Sequence, residues 1–168
     1  MAYVLGLIVG LAVGTGIVVL LFRKKVLDMT FDERQERARG KAFQYAFFTL
    51  AGCIVVYGLL DSVGFRWCDT LTGCIICLCM GLTVFAITCI LNDAYLSLKE
   101  QPGKVMTTLV VIGFANLVIG ATYLMHGKLV EDGILTIRAV NLICGIMVLV
   151  VLVVYAVNCL LAQREEAE

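Results

Sequence analysis

Polar sequence is scarce in this chain. Of its 168 residues only 15% are charged, and histidine, proline and tryptophan occur once each. Soluble domains average about 25% charged residues, so this composition excludes an ordinary soluble protein. The single histidine, His126, stands at the edge of an apolar stretch. No second histidine, activated serine or paired carboxylate lies within a stretch to make a general-base constellation with it, so an enzyme is not expected. No Asp, Glu, Lys or Arg falls near the middle of any apolar stretch, where a proton-coupled pump needs a titratable group. Lys and Arg together number 13, as do Asp and Glu, and the resulting zero net charge argues against nucleic acid as a partner. No basic residue precedes the first apolar stretch, which is longer than the ~7–15 residues of a signal-peptide core and is followed by Arg23-Lys24-Lys25. A retained anchor is expected there, not a cleaved leader.

What the chain does have is hydrocarbon. Hydrophobic residues make up 61% of it, and its mean hydropathy is +1.00. Five apolar stretches follow one another: Ala2–Phe22, Ala42–Leu60, Thr70–Leu91, Val105–Met125 and Ala139–Ala162. Each is close to the ~20 residues that a helix needs to cross a bilayer core. The expected fold is a single all-α, polytopic membrane domain of five transmembrane helices covering residues 1–168. Seven of the 13 basic residues lie between the first two stretches, and only Arg66, Lys128 and Arg138 fall on the opposite side. The positive-inside rule therefore predicts the N-terminus outside and the C-terminus inside. The recurrence of Gly-Lys at 40–41 and 103–104, and of aspartate at 69 and 132, suggests two helix–loop–helix hairpins beside one anchor helix.

Seven of the eight cysteines lie inside apolar stretches; only Cys68 sits in an outer loop, and no structural disulfide is expected. Cys74, Cys77 and Cys79 read as small packing residues, since no second ligand pair or neighbouring histidine accompanies them. No metal or cofactor is implied. Gly6, Gly10 and Gly14, each four residues from the next, form a groove for close helix packing, within the chain or in a homo-oligomer. Gln44, Asn116 and Asn141 are the deep amides, expected to bond between helices, with Asn158 near the inner face. The Glu131-Asp132-Gly133 turn signal predicts a short hairpin or interfacial turn in the second outer loop.

The one polar segment with internal pattern runs from Thr30 to Lys41. Thr30 and Glu33 have capping-box spacing, which predicts a helix start. No proline interrupts the run to Leu60, so a single helix carries the charges into the second span, with Gly40 as its flex point. Asp32, Glu33 and Glu36 share one face, Arg34, Arg37 and Lys41 a second, and Phe31, Ala38 and Ala42 a third. With Gln35 and Arg39 they form the candidate functional helix. It is either a lipid-contacting topology signal or a docking surface for a membrane or cytoplasmic protein.

Three blocks stand together here: Phe31-Asp32-Glu33-Arg34-Gln35, Ala38-Arg39-Gly40-Lys41-Ala42 and Tyr45-Ala46-Phe47-Phe48-Thr49. This region resembles a family of uncharacterised small bacterial integral membrane proteins with an Asp-Glu-Arg-Gln motif between their first two spans. The resemblance covers about the first 60 residues. It implies a multi-pass location in the bacterial cytoplasmic membrane and carries no catalytic residues with it. The expected function is that of a non-enzymatic accessory or regulatory component. The alternative is an oligomeric small-solute permease or channel subunit.

Overall fold

The computed structural model describes residues 30–165 together with Gly16, and these are almost wholly helical. The first expected span, with Gly6, Gly10 and Gly14, lies outside the described residues. Helix α1 spans Glu33–Ser62, α2 Thr70–Leu91 and α3 Pro102–Met125. A small hairpin follows, β1 (Val130–Glu131) and β2 (Ile134–Leu135), then a 3-10 turn at Ile137–Ala139 and helix α4, Val140–Glu165. All four helices are long and apolar enough to cross a membrane. Their most apolar windows are barely covered: none of that window is buried in α1 and only 22% in α2. Phe43, Phe47, Phe48, Val111 and Phe114 all stand exposed. Such faces suit hydrocarbon, which needs no covering core.

The charged segment and the second span form one uninterrupted helix, and Gly40 lies within its regular run. The helix starts two residues later than the Thr30–Glu33 spacing suggests. Asp32 is the N-cap: its carboxylate accepts the Gln35 amide N–H at 2.7 Å, while Gln35 Oε1 accepts the Asp32 N–H at 3.3 Å. The capping box is thus Asp32-x-x-Gln35. Thr30 remains extended, and its carbonyl accepts the Leu98 N–H at 3.0 Å. Aspartate, charged and short, wins the cap because its carboxylate also meets the positive end of the helix dipole.

Three helices end in the same way. After α1, α2 and α3 the chain turns through a left-handed residue, and two backbone N–H groups reach back to the last carbonyls, as in a Schellman motif. Gly64 (φ 82°) and Gly127 (φ 65°) hold that position after α1 and α3. After α2 it is held by Asp93 at φ 53°, a conformation in which a side chain is strained. The Asp93 and Ala94 N–H groups donate to Ile90 and Cys89 at 3.1 and 2.8 Å.

Packing joins α1 to α2, α2 to α4 and α4 to α3, so the helices stand in the order α1–α2–α4–α3 as two hairpins side by side. Glycine sets the close approaches. A Cβ on Gly81 would press on Ala46 and Leu50 of α1, and one on Gly73 on the Tyr57 ring. Between α3 and α4, a Cβ on Gly120 would stand 2.6 Å from the Leu142 main chain, and Gly113 and Gly145 are met by Val148 and Leu117. Small residues let these backbones approach where no hydrophobic force drives them together.

Candidate functional site

The Thr30–Lys41 segment closes on the loop that links α2 to α3. Gln35 is buried, 8% exposed. Its Nε2 donates to the Asp93 carbonyl at 2.8 Å and to the Leu96 carbonyl at 3.4 Å. One turn on, Arg39 donates to the Ala94 carbonyl at 3.0 Å. Its guanidinium lies over Phe31, 4.0 Å from the ring centroid, and 5.3 Å from that of Phe85. Arg34 pairs with the Asp93 carboxylate at 3.5 Å. Three carbonyls of the loop, those of Asp93, Ala94 and Leu96, are therefore gripped from α1 by side chains at i, i+4 spacing, one face of a helix.

The strained Asp93 sits where this clasp holds. Its carbonyl takes Gln35, its carboxylate takes Arg34, and Ala94 behind it is wholly buried. The loop is braced internally too, with the Ser97 N–H donating to the Glu100 carboxylate at 2.8 Å. From the other hairpin, Asn158 of α4 donates to the Ile90 carbonyl at 3.3 Å. Ala86, Ile90 and Val151 form a buried cluster beneath, with Tyr95 and Tyr155 packed against it. Burial raises the Tyr95 phenol above its ordinary pKa.

The eight residues of the charged helix thus divide. Asp32, Gln35 and Arg39 are spent within the chain, and Arg34 is shared with Asp93. Glu33, Glu36, Arg37 and Lys41 face outward, with Arg37 only loosely paired to Glu33 at 3.9 Å. The face expected to carry Phe31, Ala38 and Ala42 also includes Gln35 and Arg39, and it is the buried one.

Among the described residues Asn116 bonds within its own helix, donating to the Ile112 carbonyl at 2.9 Å, and not across helices as expected. Gln44 is exposed on α1, and Asn141 is half-buried on α4. Among the described residues the amide that bonds between membrane-length helices is Asn158, placed to reach α2 because α4 packs there. Cys77 is buried against α1, Cys74 is exposed, and the thiols of Cys79 and Cys144 touch at 3.7 Å across α2 and α4.

At the opposite end the two connections interlock. Asp132 (φ 53°) and Gly133 (φ 77°) form the two-residue turn of the β1–β2 hairpin, as the sequence signal suggests. Leu135 of β2 then bonds to both sides of Cys68, donating to the Trp67 carbonyl and accepting the Asp69 N–H, each at 2.9 Å. Cys68 is consequently buried, not displayed on a loop, and burial pushes its thiol pKa up. Asp69 caps α2 by accepting the Thr72 N–H at 2.8 Å, and that bond holds its carboxyl below the usual range. The Tyr57 and Trp67 rings meet edge to face, and Arg138 pairs with Glu131 across the hairpin. Comparison of the chain with protein-family models, curated proteins and solved structures found no match.

Proposed function

We propose that this chain is a non-enzymatic accessory or regulatory protein of the bacterial cytoplasmic membrane. It has five spans, its N-terminus outside and its charged end in the cytoplasm. There it docks a membrane or cytoplasmic protein partner through the outward strip of α1. The observation that carries this reading is the buried Gln35 bridge to Asp93 and Leu96. A topology signal needs only positive charge near the membrane. Fixing the charged helix through a buried amide is an added constraint that holds Glu33, Glu36, Arg37 and Lys41 in one array. A rigid array loses little entropy on binding, which favours recognition.

The rival, an oligomeric permease or channel subunit, draws on the cleft between α2 and α3. It holds about 420 Å³, and its walls include Leu82, Phe85, Leu109 and Val151 with only Thr83 and Tyr95 adding oxygen. A wall of that chemistry suits an apolar neighbour better than a hydrated solute.

The double substitution Glu33→Gln, Glu36→Gln removes acidic charge while keeping every basic residue and the whole clasp. Membrane level should stay normal while recovery of a co-purifying partner falls at least tenfold. Unchanged partner recovery and phenotype would reduce the helix to a topology signal.

A further inference from the structure

We propose that the strip of α1 running from Arg34 to Gly52 is a binding site for one phospholipid with an anionic head group. The inference rests on the membrane reading of the four helices and not on the protein-docking one. Two cavities carry it. The first is a polar cleft of about 470 Å³ at the charged end, lined by Glu33, Arg34, Arg37, Ala38, Lys41 and Asn92. The second is an apolar groove of about 420 Å³ between α1 and α2, which runs from Phe48, Thr49 and Gly52 at its near end to Tyr57, Leu60 and Trp67 at the far one.

Helical phase puts both on one side of α1. Positions 34, 38, 41, 45, 48, 52 and 56 advance by three or four residues, so they form one continuous ridge. Tyr45 links the two cavities. From Lys41 to Gly52 the helix rises about 16 Å, close to the ~15 Å depth of one leaflet's hydrocarbon. A head group held at Lys41 thus brings the end of its acyl chain to the near end of the groove, at Phe48, Thr49 and Gly52.

Charge complementarity selects the occupant. Three cations line the cleft against the one carboxylate of Glu33. Arg34 and Arg37 are paired with Asp93 and Glu33, but at 3.5 and 3.9 Å and in highly exposed positions. Such pairs are weak, and each guanidinium keeps further N–H donors for a phosphate. Lys41 has no carboxylate partner among the described residues. It is followed directly by the apolar run that begins at Ala42, which places it at head-group depth. In the groove, Gly52 has nothing within 4 Å of a would-be Cβ. Among the described residues its missing side chain serves no helix contact and keeps the groove open.

The test uses the full-length protein purified in mild detergent. Native mass spectrometry would count retained phosphatidylglycerol against phosphatidylcholine of identical acyl chains. One-to-one retention of phosphatidylglycerol, with at least tenfold preference, is expected. Arg37→Gln with Lys41→Gln should abolish the preference, and both substitutions leave the Gln35 clasp intact. Gly52→Leu, whose Cβ meets no atom within 4 Å among the described residues, should reduce retention of phosphatidylglycerol several-fold at unchanged helicity. Equal retention of the two lipids, or indifference to both variants, overturns the proposal. Competition by soluble glycerol phosphate at lipid-equivalent concentration would assign the cleft to a free phosphate and overturn it likewise. So would a disulfide between cysteines placed at 10 and 52, because the chain's own first apolar stretch would then fill the groove. Failure of the membrane reading is separately visible, as recovery of the protein in the soluble fraction.

Discussion

Gln35 does three things with one side chain. Its carbonyl oxygen closes the capping box on Asp32, and its amide nitrogen reaches the Asp93 and Leu96 carbonyls. Methionine has similar length and no such bonds, so Gln35→Met removes the side-chain partner of two part-buried loop carbonyls. The expected loss is about 1–3 kcal/mol, read as a lower thermal midpoint in detergent, whereas exposed Glu36→Gln should change it little. The sequence showed that a helix starts here but pointed to Thr30 and Glu33 as its cap, because Thr30–Glu33 and Asp32–Gln35 both have capping-box spacing. The partners some sixty positions away cannot be read that way, because local spacing carries no information about which loop folds over a helix. The same limit explains Asn116 and Asn158: both are amides in apolar helices, and only the neighbour that packing supplies decides which one bridges.

Asp69 offers a titratable residue whose effect has a definite sign. The Thr72 N–H bond stabilises its ionised form, so its folded pKa lies below the ordinary carboxylate value of about 3.9. The stability it contributes is therefore present above pH 4 and is lost as pH falls through the lower, folded value. Asparagine keeps the capping oxygen without the proton equilibrium. Between pH 6 and pH 3 the thermal midpoint of Asp69→Asn should fall less than that of the unaltered protein. Parallel acid profiles for the two would show that this carboxylate is not coupled to folding.

At the scale of elements, helix existence was written plainly in the sequence and helix contact was not. The α2 boundaries, Thr70–Leu91, coincide with the expected span because an aspartate cap and the Asn92-Asp93 turn mark its ends. The contact face of α2 was legible only in part: of the cysteines expected to pack, Cys77 turns toward α1 beside Gly73 and Gly81, while Cys74 is exposed. Gly113, Gly120 and Gly145 carry an equal role between α3 and α4. Their spacing across two helices gives a weaker signal than a stripe along one. Glycines of opposite context now make a paired test. Gly40 has nothing near a would-be Cβ and sits mid-helix, so Gly40→Ala should stabilise the protein by about 0.5–1 kcal/mol. Gly120→Ala forces a methyl against the Leu142 backbone and should destabilise it by about 1–3 kcal/mol. Thermal midpoints of both variants in one detergent decide it. Equal responses would mean that close α3–α4 packing does not set stability.

For the whole molecule, the order α1–α2–α4–α3 places both tight clusters of polar bonds at the ends of the helices. The clasp of Gln35, Arg34 and Arg39 holds one end, and the Leu135 bridge to Trp67 and Asp69 holds the other. Between them lie glycine contacts and exposed apolar faces. A layer of this kind has two chemically distinct ends, and the charged helix loads Arg34, Arg37, Arg39 and Lys41 on the clasp end. With the positive-inside rule, that end should lie in the cytoplasm. Cys68 and Ser97 would be poor reporters of this, since both are buried. His126 at the end of α3 and Leu98 in the clasped loop are exposed and lie at opposite ends. In intact cells a membrane-impermeant thiol reagent should modify a cysteine at 126 and spare one at 98. The cysteine at 98 should react only after the membrane is opened. Labelling of residue 98 from outside would invert the molecule, moving the charged strip of α1 out of reach of any cytoplasmic partner.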